Sequence, residues 1–218
     1  TGIVTVKLDN CGNPHFKIHE DCAWDYLEIT PQIRKLAERA DAVCFGSLAQ
    51  RSPFSRQAIR EFIAQTRADC LRIFDVNLRA PFYASEDIDF LLKKSQILKL
   101  NEDELWTLSG LFQIESKQEN QVINFFFSKY PLELIVLTRG EKGSTLYTRE
   151  EISNSSAFPV KVNDTVGAGD AFTAAVAVGL LYQKELDKIN ETANRIAAYV
   201  CSQPGAWSPL SDELRDKI

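Results

Sequence analysis

ILKLNEDELWTL, residues 97–108, changes rhythm half-way. ILKL (97–100) reads as a short strand, and NEDELWTL (101–108) reads as a capped helix that starts at the strand's end. The same alternation extends in both directions. TPQIRKLAERA (30–40) carries a Thr cap and a Pro at the first helical position, with Ile33, Leu36, Ala37 and Ala40 on one face. AVCF (42–45) is an apolar strand ending at Gly46-Ser47, and SRQAIREFIAQTR (55–67) is a helix that turns Ile59, Phe62 and Ile63 inward. LRIFDVN (71–77) is a strand, SEDIDFLLKKS (85–95) a Ser-capped helix, SKQENQVINFFFSKY (116–130) a helix and ELIVLT (133–138) a strand. STLYT (144–148) follows a turn at Gly143, and 168–183 and 191–203 read as helices. Strands of about five residues alternating with longer helices predict an α/β fold with a mainly parallel sheet flanked by helices. Such sheets bind ligands at the carboxyl ends of their strands. The polar residues cluster there: Gly46-Ser47, Asp75, Asn77, Asn101 and Thr138-Arg139-Gly140.

The opening differs. IVTVKL (3–8) and HFKIH (15–19) alternate around the turn sequence DNCGNP (9–14), which predicts a two-stranded hairpin appended to the α/β body. His15 and His19 stand in this strand pattern with no third ligand in view, so they read as surface histidines rather than a metal pair.

The bulk numbers exclude several classes. The chain has 218 residues, 44% of them hydrophobic, enough to bury a full core. Its net charge of −5 argues against nucleic acid or an anionic membrane as a main partner. The longest apolar run, AAVAVGLL (174–181), is too short to span a bilayer. Five scattered cysteines (Cys11, Cys22, Cys44, Cys70, Cys201) without a C-x-x-C read as reduced thiols of a cytoplasmic protein.

DTVGAGDAF (164–172) carries the chemistry. Gly167, Ala168 and Gly169 present almost bare backbone, and the helix behind them leaves its first amide N–H groups unpaired and partly positive. That combination can hold a phosphoryl group. Asp170 sits in the same field. A carboxylate beside stored phosphate would repel it, but a carboxylate that takes the proton from an attacking hydroxyl belongs there. The same position also suits an ordinary first-turn acid that interacts with the helix dipole. A dinucleotide loop is excluded because Phe172 stands where G-x-G-x-x-G needs its last glycine, and RGEKGST (139–145) lacks the ending of a Walker loop.

DTVGAGDAF resembles the second signature of the PfkB (ribokinase-like) carbohydrate kinases. FGSL (45–48), FDVNLRAPFY (74–83), LKLNEDEL (98–105), VLTRGEKGSTLY (136–147) and ANRIAAYV with GA (193–206) agree with that family in order and spacing. The resemblance implies a ribokinase-like fold and an ATP-dependent sugar kinase, with small-molecule sugar and ATP as its partners. Asp170 would be the base, and Gly167, Ala168 and Gly169 would form the anion hole. Thr138, Gly140, Gly143 and Asn194 fall where the family binds nucleotide. Asp75, Asn77 and Arg79 match its D-x-N-x-R strand end, with Arg79 a substrate or phosphate contact. Asn101 and Glu104 match its N-x-x-E motif, which helps hold Mg²⁺ through water. Asp164 and Gly205 are candidates for a monovalent cation such as K⁺.

The resemblance also implies a division into residues 1–22, a remnant of the family's small β lid, and residues 23–218, the nucleotide-binding and catalytic domain. The chain opens on Thr1 and has no Met. The expectation is a chain lacking the family's front segment with most of the sugar pocket, and transferring phosphate poorly by itself. FDVNLRAPFY and the lid are most similar to fructokinases, then to 2-keto-3-deoxygluconate kinases; a non-catalytic nucleotide- or sugar-binding relative is the other class. The lid's open edge suits a homodimer.

Overall fold

Short apolar runs with both faces covered form parallel strands, and the chain has four of them in succession. The computed structural model describes residues 2–8 and 14–215. β1 (Val4–Leu8) and β2 (Pro14–Ile18) pair antiparallel as a separate two-stranded sheet. The turn expected at 9–14 lies mostly outside the described residues, as does Cys11. The main body then runs α1 (Pro31–Ala37), β3 (Ala42–Gly46), α2 (Pro53–Gln65), β4 (Leu71–Asp75), α3 (Ser85–Lys93), β5 (Ile97–Asn101), α4 (Glu102–Leu111), α5 (Glu119–Lys129) and β6 (Leu134–Thr138). It continues with β7 (Ser144–Tyr147), β8 (Ile152–Ser155), α6 (Ala168–Leu181), α7 (Leu186–Ser202) and α8 (Asp212–Arg215). The six-stranded sheet has the order β3-β4-β5-β6-β7-β8, parallel from β3 to β6 and antiparallel beyond.

Alternation along the strands builds a three-layer molecule. Phe74, Leu98, Leu100, Ile135 and Leu137 face α3, α4 and α5, meeting Leu91, Leu105, Leu108 and Phe126. Ile73, Ile97, Leu134 and Val136 face the other way, onto Phe172, Ala175 and Val176 of α6 and Ile189, Ala193 and Ile196 of α7. Each Leu, Ile, Val or Phe among them contributes about 1.5–3 kcal/mol by leaving water. Phe126 and Phe127 are buried and Phe125 is half-buried, as a helix-core run requires.

Side-chain caps set the starts of α1 and α4. Thr30 Oγ1 accepts from Ile33 N (3.3 Å), and Pro31 opens α1. Several details depart from the sequence reading. α1 stops at Ala37, and Leu36 is 61% exposed rather than packed inward. Ser85 lies inside the first turn of α3, whose cap position is Ala84. α7 starts at Leu186, five residues early, because Leu186 and Ile189 are buried among its leading charges. β8 was absent from the reading because its pattern is inverted. Ser153 points inward and Ile152 is 57% exposed. The inward serine is satisfied by Asn190 of α7, whose Nδ2 donates to Ser153 O (2.9 Å) and Ser153 Oγ (3.1 Å).

The hairpin meets the body through Arg51. Its guanidinium donates to Asp25 Oδ1 (2.8 Å) and Oδ2 (2.7 Å) and to the carbonyl of His19 just beyond β2 (2.8 Å). It lies over the rings of Trp24 (4.1 Å) and Phe82 (4.6 Å). Both charges are buried, and the hydrogen bonds from Arg51 hold the Asp25 carboxyl below its ordinary value of 3.8. A carboxyl lowered on folding stabilises the fold above pH 3.8 and loses that contribution as pH falls through its folded value. Asp25→Asn is therefore expected to cost about 1.5–3 kcal/mol near neutral pH. In urea unfolding followed against pH, its gap to the wild type should close below roughly pH 4; a gap independent of pH would reject this role.

Candidate active site

The strand register brings the polar strand ends into one row. Gly46 pairs with Asp75 and Asp75 with Lys99, while Asn101 pairs with Thr138 and Thr138 with Ser144. One residue beyond β4's end, Val76 N still bonds Lys99 O (3.0 Å). Asn77 then takes a left-handed φ of 38°, which Asn tolerates better than most residues. Asn77 and Arg79 are exposed, and Arg79 Nη1 donates to its neighbour's carbonyl, Leu78 O (2.9 Å). A cavity of about 290 Å³ opens here, lined by Trp24, Gly46, Ser47, Leu48, Ala49 and Asn77. The more open groove on α2 is a poorer candidate. Its Arg56 and Arg60 already pair with Asp87, at 3.0 and 2.7 Å.

Residues 164–172 form the expected loop and helix start. Gly167 caps α6 with φ +84°, and a Cβ there would also collide with the carbonyl oxygen of Ala206. Two separate constraints thus require glycine at 167. Asp170 lies exposed in the first turn of α6. A second cavity, of about 380 Å³, runs along α6 past Gly167, Asp170, Ala171 and Ala174 to Trp207 and Leu210.

Gly169 lies beside a lysine. A Cβ there would stand 3.3 Å from Lys99 Nζ. Lys99 donates to both oxygens of Asp75, at 3.1 and 2.9 Å, and Asp75 Oδ2 also accepts from Thr173 Oγ1 (3.1 Å), one turn into α6. Asp75 was expected as a substrate or phosphate contact; it is buried and ties β4 to Lys99 and α6. Sequence reasoning did not single out Lys99. Its signal was a charged residue in the middle of ILKLN, on the strand face whose neighbour Ile97 is core. Cys44 adjoins the same group. Cys44 is exposed on β3, and partial desolvation, then the Asp75 carboxylate, raises its thiol above the ordinary value.

The loop after β6 carries Thr138, whose Oγ1 donates to Leu100 O (3.4 Å), then Gly140 at φ +55° and Gly143 at φ +97°. Gly143 is buried, and any Cβ on it would collide with Ser155 O. Asn194 is buried rather than facing an open surface. Its Nδ2 donates to Ser144 Oγ (2.7 Å), Asn190 O (2.9 Å) and Asn190 Oδ1 (3.1 Å). It supports this loop from beneath.

Asn101 and Glu104 form a capping box at the start of α4. Asn101 Oδ1 accepts from Glu104 N (2.8 Å), and Glu104 Oε2 accepts from Asn101 N (2.9 Å). Glu104 Oε1 accepts from Leu78 N (3.0 Å), so this buried carboxylate also holds the Asn77–Arg79 loop. Among the described residues no group of three His, Cys, Asp or Glu could cage a metal ion. The donors that are present are oxygens with backbone partners, which fits Mg²⁺ kept in its water shell better than direct ligation. Asp164 Oδ1 accepts from Val166 N (3.0 Å), and Gly205 takes φ +75°. Their loops meet where Gly167 touches Ala206.

The model of the pfkB family of carbohydrate kinases matches residues 4–213. The chain belongs to the PfkB family. It is 33% identical over 223 residues to a sugar kinase of Pyrococcus horikoshii, covering 98% of this chain and 67% of that protein. It is 28% identical to fructokinase-2 of Oryza sativa subsp. japonica, covering 96% of this chain and 65% of that one. The chain therefore spans about two thirds of the length of these relatives. The crystal structure of the Pyrococcus horikoshii sugar kinase in complex with ATP superposes with a TM-score of 0.78 at 29% identity, covering 100% of this chain and 72% of that one. A fructokinase of Xylella fastidiosa shares the fold, with a TM-score of 0.81 at 20% identity. The mainly parallel α/β sheet expected from the strand and helix order, and the ribokinase-like fold implied by the resemblance, are the ones observed.

Gly167→Ala should lower stability by about 1–3 kcal/mol through its positive φ, with the collision against Ala206 added. Gly140→Ala, where nothing blocks a Cβ, should cost less. Urea unfolding of the two variants checks the order, and equal costs would show that the Ala206 contact yields freely.

Proposed function

We propose that this chain is the nucleotide-binding and phosphoryl-transfer part of an ATP-dependent sugar kinase, with fructose as acceptor. The observation that carries the reading is the start of α6. A glycine cap, two more small residues and an exposed acid lie in one turn, beside the row of polar strand ends. The fructokinases among its relatives support the choice of sugar.

In this reading the acceptor hydroxyl approaches from the cavity at Gly46 and Asn77 and gives its proton to Asp170. Its oxygen bonds to the γ-phosphorus as the bond from that phosphorus to the bridging oxygen breaks, and ADP leaves. The amides of Gly167, Ala168 and Gly169 receive the charge on the moving group. Thr138, Gly140 and Gly143 hold the nucleotide, with Asn194 supporting their loop. Arg79 and Asn77 contact the acceptor or its phosphate, and Asp75 acts through Lys99. Mg²⁺, when bound, offsets phosphate charge, and Asn101 and Glu104 would orient its waters. Asp164 and Gly205 would face K⁺. The hairpin, with Ile3 and Val4 exposed, supports a homodimer through that sheet.

ADP release from MgATP tests the reading in the full-length protein with fructose, 2-keto-3-deoxygluconate, ribose and adenosine. Turnover with fructose is expected, and Asp170→Asn should reduce it about 10²–10⁴-fold. Turnover that survives Asp170→Asn would reject Asp170 as the base. ATP binding without any turnover would favour a regulatory relative.

A further inference from the structure

Lys99 is the charged residue of β5 that neither the capping box nor the core explains. Alternation along β5 turns Leu98 and Leu100 toward α4 and α5, and turns Ile97 and Lys99 toward α6. The Lys99 side chain is only 12% exposed, so its ammonium has left most of its water. Asp75, its register partner on β4, takes two of its N–H groups. A buried ion pair of this kind is weak evidence for stability, since an apolar pair of similar size serves a core as well or better. Its location argues for a different role. The ammonium stands against the backbone of Gly169, inside the loop-and-helix start that the kinase reading assigns to the moving phosphoryl group. A Cβ at 169 would stand 3.3 Å from Nζ, a close contact that a small shift of the lysine's end relieves. Asp75 is in turn held by Thr173, and among the described residues Asp75 takes the only hydrogen bonds that Lys99 Nζ makes. A second anion beside Asp170 needs a full positive charge nearby, and the helix end supplies only about half of one.

We infer that Lys99 contacts the terminal phosphate of the bound nucleotide, with Asp75 and Thr173 as the residues that position it. The inference rests on the kinase reading and adds a side-chain cation to the anion site of the loop amides.

Calorimetric titration of the full-length protein with MgATP and with MgADP tests it without turnover. The wild type is expected to bind ATP more tightly than ADP. Lys99→Met should weaken ATP binding about tenfold or more and ADP binding less than about twofold, because a charge-assisted contact to the third phosphate is lost. Lys99→Arg should keep most of the preference. Lys99→Met leaves Asp75 buried and unpaired, so the double variant Lys99→Met/Asp75→Asn, which removes both charges, covers the case in which the single variant does not fold. The double variant should unfold cooperatively and still lose the preference for ATP. A folded variant that binds ATP as tightly as the wild type, or that loses ATP and ADP equally, overturns the role of Lys99 and leaves the kinase reading standing. A wild-type chain that binds neither nucleotide overturns both.

Discussion

The ion pair between Asp75 and Lys99 joins the parts on which the candidate site depends. It spans two adjacent parallel strands at their carboxyl ends, and through Thr173 it reaches the first turns of α6. Two buried charges and a hydroxyl at the seam of sheet and helix have few arrangements that leave each of them satisfied. The pair therefore sets where α6 begins relative to the strand ends. Gly167 passes under Ala206, where no Cβ fits, and Gly169 lies beside the lysine.

The same device recurs around the row of strand ends. Glu104 accepts from Asn101 and from Leu78, so one carboxylate sets both the start of α4 and the loop carrying Asn77 and Arg79. Asn190 and Asn194 bind Ser144 and Ser153, which fixes the loop after β6 against α7. Arg51 binds Asp25 and the carbonyl of His19, which joins the hairpin to the body. Each buried polar group has replaced water by several partners, and breaking one partner would leave the rest desolvated. The exposed groups at the site, Asp170, Asn77 and Arg79, are carried on backbone that these buried groups hold.

Much of this was legible in the residues. The switch from strand to helix rhythm at Asn101 gave the α/β order, and the apolar runs gave the parallel strands, because both follow from local periodicity. DTVGAGDAF announced a helix start with bare backbone and an acid, which needs no knowledge of the rest of the chain. N-E-D-E at 101–104 was ambiguous for a physical reason. A capping box and a motif that orients metal-bound water ask for the same residues at the same spacing, and the structure shows the capping box. β8 was hidden because its inward residue is a serine whose partner, Asn190, lies 37 positions away.

The sequence by itself determined the layered α/β architecture, the start of α6 and the family to which the chain is similar, since these depend on periodicity, capping and short-range spacing. Tertiary structure alone decided that Asp75 meets Lys99, that Gly169 lies beside the lysine's ammonium, that Asn194 lies beneath its loop and that Arg51 joins the hairpin to the body. Each of those is a contact between segments 24 to 70 positions apart. Local propensity carries no information about which distant polar group will share a desolvated site. That choice is made when the strands fall into register and the buried charges find partners.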